Sequence, residues 1–186
     1  LVGSEMCIRD RGVDDRAAAY TAVDYLIRQG HRKIAVLGGP VTSYPSLMRR
    51  QGAQQAMEDA GIVFNDKLYG LSNYDFESAY HAMNSLLARR AEFTALFAMS
   101  DVIAFGAIRA LVSAGLRVPE DVSVIGFDGI TMSRYCVPVM TTIVQPSEQI
   151  ALQSIELLVR QIEHGSPAQT VTLQPELQQG ESVRAI

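Results

Sequence analysis

The chain has 186 residues, 48% hydrophobic and 19% charged, which supplies enough apolar surface for a core and argues against disorder. Its 20 acidic residues outnumber 16 Lys and Arg, and the formal net charge of -4 argues against this segment itself tracking a phosphate backbone. No apolar run approaches the roughly 20 residues that span a bilayer, and no signal peptide is recognisable. Cys7 and Cys136 are far apart and suggest neither a disulfide framework nor a metal site, so a reducing compartment fits best.

The opening "LVGSEMCIRD" has no clear period and joins poorly to the residues after it. From Asp14 the pattern sharpens. "DDRAAAYTAVDYLIRQG" offers an Asp cap, apolar residues at helical spacing and Gly30 as a stop. "KIAVLGG" is a short apolar strand. "SLMRRQGAQQAMEDAG" predicts a helix over 46–60, and a short strand is expected around Leu68–Leu71. "DFESAYHAMNSLLAR" predicts a helix capped by Asp75, "TALFAMS" a strand, "DVIAFGAIRALVSAG" a helix and "VSVIGF" a strand. Strand, loop and helix thus recur about every 30 residues, the spacing of βαβ units and a mostly parallel sheet.

The last third changes rhythm. A short extended run precedes Pro146, which suits the start of a long amphipathic helix over 147–163. "AQTVTLQPEL" predicts a strand with a Pro-marked bend, followed by a polar extension or a last edge strand.

In open α/β sheets ligands sit outside the carboxyl ends of the strands. Asp128 stands at such an end, behind Val122, Val124, Ile125 and Phe127, where its carboxylate can accept from neighbouring hydroxyls or cap a turn. Ser100 and Asp101 repeat the arrangement. Either can cap the next helix, and Ser100 can also face a ligand. Arg49 and Arg50 lie early in a helix, where cations gain nothing from its dipole. One of them suits a carboxylate or a polyhydroxylated ligand. Phe76 can stack on an apolar sugar face or anchor its loop, and Gln145 can be a linker amide or a pocket donor. No dinucleotide fingerprint, Walker A loop, nucleophile elbow or zinc spacing is present. His31, His81 and His164 are scattered, with His31 in a helix-to-strand turn that suits a structural bond.

Taken together, "YLIRQGHRKIAVLGGP", "RRQGAQQAMEDAGI", "FAMSDVIAFGAIRALVSAGLRVPEDVSVIGFDGI" and "PVMTTIVQPSEQIALQSIELLVRQIEHG" resemble the effector-binding core of the LacI/GalR family of bacterial transcriptional repressors. The resemblance runs from about residue 13 to 180. It implies an α/β fold, a parallel-sheet Rossmann-like lobe of the type I periplasmic-binding-protein-like class, with two lobes in the intact family. It maps 1–13 as an unmatched tail, 14–32 as a fragment of the N-terminal lobe and 33–141 as the C-terminal lobe. Residues 142–168 would be a crossover and returning helix, and 169–186 a crossover strand and tail. Ile34 and Thr142–Gln145 would lie near the hinge. The family's R-x-x-G arginine falls on Arg49, its strand-end aspartate on Asp128 and its loop aromatic on Phe76. Ser100 and Gln145 complete the implied ligand set.

The resemblance further implies a cytoplasmic, non-enzymatic sensor without cofactor or metal. Its effector would be a sugar, with a nucleoside or purine as the alternative. The intact protein would be a homodimer that reaches operator DNA through a helix-turn-helix headpiece outside this sequence. A solute-binding protein of a sugar transport system is the rival reading, and a small α/β hydrolase the more distant one.

Overall fold

The computed structural model describes residues 11–164 and 171–186. The chain forms two compact units. One comprises the segment up to Asp14 together with Gln145–Glu176, and the other comprises Asp15–Val144 and Leu177–Ile186.

The larger unit carries a six-stranded sheet. Its strands are β2 (Ile34–Gly38), β3 (Tyr69–Leu71), β4 (Ala95–Ala98), β5 (Ser123–Asp128), β6 (Thr141–Val144) and β8 (Glu176–Gln178), in the order β3-β2-β4-β5-β6-β8. The first five run parallel. Helix α1 (Asp15–Arg28) precedes β2, and α2 (Tyr44–Asp59), α3 (Phe76–Ala88) and α4 (Asp101–Ser113) lie between successive strands. β2 and β4 are buried along their whole length, so their sequences are unbroken apolar runs, as a sheet covered on both faces requires.

Local signals set the helix ends. Ser43 accepts from the Ser46 amide to cap α2 and Pro45 fits its first turn, so this helix starts two residues before the expected 46. Asp75 caps α3 and Ser100 caps α4. Gly30 and Gly115 follow their helices in the left-handed region, where a Cβ is strained. The strand expected around Leu68–Leu71 is shorter, because Asp66–Leu68 form a 3-10 turn capped by Asn65.

One expected boundary changes. The resemblance places residues 14–32 in a fragment of the N-terminal lobe, yet α1 belongs to the larger unit. Its inner face, Ala18, Ala19, Ala22, Val23 and Leu26, is almost fully buried. Small residues let it lie close to α2, where a Cβ at Gly52 would collide with the Arg16 carbonyl. The chain passes from one unit to the other after Asp14, Val144 and Glu176, and Ile34 opens β2.

The last ten residues are woven into the larger unit. Ser182 is buried, donates to the Val124 carbonyl at 2.6 Å and accepts from the Thr141 amide at 2.8 Å. His31 is buried beside this tail. Its Nε2 lies 3.1 Å from the Arg184 carbonyl, which can only accept, so that nitrogen carries the proton and Nδ1 accepts from the Thr94 hydroxyl at 2.9 Å.

In the smaller unit, β1 (Arg11–Val13) pairs in parallel with β7 (Val171–Leu173). β1 lies inside the segment expected as an unmatched tail. Helix α5 (Ser147–His164) starts directly after Pro146, and Leu152, Ile155, Leu158, Val159 and Ile162 stand exposed along it. The expectations for residues 1–10 and 165–170 lie outside the described residues.

Candidate functional site

The carboxyl ends of β4 and β5 converge on one buried guanidinium. Arg49 projects inward from α2 and is 6% exposed. Its guanidinium carbon sits 3.7 Å from the centroid of the Phe127 ring, the last core residue of β5. Nε donates to Asp15 Oδ1 at 2.7 Å, and Nη1 donates to the Met99 carbonyl at the end of β4. The same Nη1 stands 3.5 Å from Asp128 Oδ1. A cation this far from water needs such partners, since an unpaired buried charge is strongly disfavoured. Arg50, its neighbour, points outward, reaching Asp66 at 3.2 Å and lying over the Tyr69 ring at 4.5 Å.

Asp128 ends β5 opposite Val144 of β6, with its side chain about a quarter exposed. Its φ of 115° is rare for a residue with a side chain. Such strain persists only where surrounding contacts over-determine the backbone, and it concentrates at functional sites. Ser100, next to Met99, is buried, and its Oγ accepts from the Ile103 amide at 3.1 Å, so capping occupies the hydroxyl oxygen.

The remaining two expected residues lie on other elements. Phe76 is the first residue of α3, half exposed, and stacks on Phe105 of α4 with ring centroids 6.3 Å apart. A second aromatic ring, that of Tyr74, lies at the end of β2. A Cβ at Gly39 would collide with that ring, so the absence of a side chain there makes room for it. Tyr74 has φ 60°, and its buried hydroxyl finds no hydrogen-bond partner among the described residues. Gln145 belongs to the smaller unit.

Sequence reasoning misses three contributors. Asp15 reads as part of a helix start, and it is the carboxylate that anchors Arg49. Tyr74 yields to a phenylalanine two positions on, although a tyrosine just before the Asp75 cap is the available signal. Asp101 reads as a cap, but Ser100 is the cap and Asp101 is fully buried behind it. Burial pushes the Asp101 carboxyl up to about 6, and the nearby Asp128 charge adds to the rise, against the pull of hydrogen bonds from Thr142 and Ile130. Among the described residues no group of His, Cys, Asp and Glu could hold a metal, and no helix is long and apolar enough to cross a membrane.

Comparison with known families gives this geometry a context. Residues 23–183 match the description of the periplasmic binding protein-like domain. The chain belongs to that family. Within it, this periplasmic binding protein-like domain is of the LacI/GalR type. It is 37% identical over 171 residues to the HTH-type transcriptional repressor PurR of Histophilus somni, covering 91% of this chain and 51% of the repressor. It therefore spans about half the length of the curated relatives it matches. A sugar-binding LacI-family regulator from Escherichia coli complexed with phosphate superposes with a TM-score of 0.86 at 34% identity, covering 94% of this chain and 63% of the regulator. The complex of the transcriptional regulator CelR with cellobiose gives 0.90 at 32% identity, covering 98% of this chain and 56% of the other. These relatives are named as transcriptional regulators, and none of the three as an enzyme.

Proposed function

We propose that this chain is the effector-sensing domain of a LacI-type transcriptional repressor and that its effector is a sugar or sugar derivative. The observation that carries the reading is the buried Arg49, stacked on Phe127 and shared between Asp15 and Asp128 at the carboxyl edge of a parallel sheet. A guanidinium held this way offers a directed donor, and the carboxylate of Asp128 beside it accepts from vicinal hydroxyls. Tyr74 supplies an aromatic face and a hydroxyl that a ligand oxygen would satisfy. Ser100 borders the same edge. Phe76, half exposed at the start of α3, is a further aromatic of the proposed set.

In the parent protein, a cytoplasmic homodimer, effector binding would favour one arrangement of the domain over another and so bias operator binding by a separate helix-turn-helix headpiece. That is a population shift, limited by the difference in affinity of the effector for the two states. The similarity to a phosphate-complexed sugar regulator and to a cellobiose-bound one supports a sugar. A purine or nucleoside is the alternative to test against it.

Thermal unfolding across pentoses, hexoses, cellobiose, sugar phosphates and nucleosides decides between these classes. A ligand that binds only the folded state raises its melting midpoint by mass action. The expected outcome is a shift confined to sugars and abolished by Asp128→Ala. A shift confined to nucleosides reassigns the effector, and a cooperative melt unmoved by every compound overturns the sensing role of these residues.

A further inference from the structure

The loop that carries Asp128 is held by a carboxylate that does not itself face the proposed ligand. Asp101, in the first turn of α4, is fully buried and lies over β5 at Gly126, where a Cβ would collide with its Oδ1. Oδ1 accepts from the Thr142 hydroxyl on β6 at 2.6 Å. Oδ2 accepts from the Ile130 amide at 2.8 Å, and the Gly129 amide also donates to this carboxylate. One side chain thus joins α4, the loop directly after β5 and the strand that leads into the crossing after Val144.

We propose that Asp101 is a positioning residue that fixes the strained Asp128 backbone in its ligand-accepting geometry and ties that loop to β6. The functional part of this assignment rests on the reading of Asp128 as a ligand contact, while the mechanical part stands on the hydrogen bonds alone. Asp128 follows five buried strand residues and precedes a glycine whose Cβ position is filled by Val144, so its φ of 115° is bracketed by rigid groups. Two amides clamped immediately after it leave the loop no room to relax. Because the acceptor is charged and buried, each bond is stronger than a neutral pair and costly to lose. Thr142 lies two residues before Val144, so a displacement at Asp128 and one at the second crossing pull on the same carboxylate.

Amide hydrogen exchange of the whole chain tests the clamp without any ligand. Asp101→Asn replaces one acceptor oxygen by a donor that faces donors. Thr142→Val keeps the shape and deletes one bond. In Asp101→Asn, exchange at Gly129 and Ile130 should rise by roughly tenfold or more, with amides of β2 and β4 unchanged. Thr142→Val should give a smaller rise at the same two amides. Unchanged protection of Gly129 and Ile130 in Asp101→Asn overturns the proposal. So does a rise spread evenly over the larger unit with a fallen melting midpoint, which a merely structural role would give. For any compound that shifts wild-type melting, a full shift retained in Asp101→Asn removes the functional half. A flat panel strikes the sensing reading and leaves the exchange result to decide the clamp.

Discussion

Arg49 sits where three requirements meet: a stacking ring, two carboxylates and a strand-end carbonyl. Removing its side chain would leave Asp15 and Asp128 facing each other's charge with little solvent to screen it. Arg49→Ala should therefore destabilise the fold by about 3 kcal/mol, at the lower end for breaking a partly buried pair, as well as abolish any ligand-induced shift. Urea unfolding followed at neutral pH reads the first effect. Choosing Arg49 over Arg50 is legible in the sequence only through the R-x-x-G pattern, since neighbouring helix positions differ in direction and not in chemistry. The choice of Phe76 is reasonable on residue type. What no spacing encodes is the left-handed φ at Tyr74, which sets a second ring against Gly39. Asp101 looks like a cap because its partners, Ile130 and Thr142, are distant in sequence and only the folded sheet brings them near.

At the scale of elements, the helices and strands of the larger unit are readable because their signals are local: caps at Asp75 and Ser100, stops at Gly30 and Gly115, and apolar runs in β2 and β4. What the periodicity cannot say is which unit α1 joins. Its alanine-rich face is equally suited to any close-packed neighbour, and the deciding partner is Gly52 on α2. That contact is steric and can be measured. Gly52→Val should overpack the crossing of α1 and α2 and cost about 1–3 kcal/mol. The loss would show as a lowered urea midpoint with an unchanged m-value, since the unfolded surface stays the same. Strands β1 and β7 are less legible, three residues each with no pattern of their own.

The whole larger unit carries two buried titrating groups whose effects run in opposite directions. The folded His31 has its pKa lowered, chiefly by burial, so it adds stability above the ordinary histidine value that is lost as pH falls through its folded value. Asp101 is raised to about 6, so its contribution is fully present below its unfolded value near 3.8 and is lost as pH rises through about 6. Acidification from pH 7 therefore weakens one contribution while restoring the other. Comparing urea unfolding at pH 7 and pH 5, wild type should gain stability relative to Asp101→Asn and lose it relative to His31→Gln. A parallel response of both differences would refute this assignment of opposite signs.

The tail that carries Ser182 and fastens His31 has a consequence for the making of the protein. Residues 15–144 supply five parallel strands, yet β8 and the acceptor for His31 arrive only with the carboxyl-terminal segment. A ribosome synthesising from the amino end must deliver the whole smaller-unit segment, Gln145–Glu176, before the larger unit can be closed. Throughout that interval β6 is an unguarded sheet edge, the kind of surface on which nascent chains meet one another or a chaperone. Translation speed across α5 thus sets how long this domain waits for its final strand.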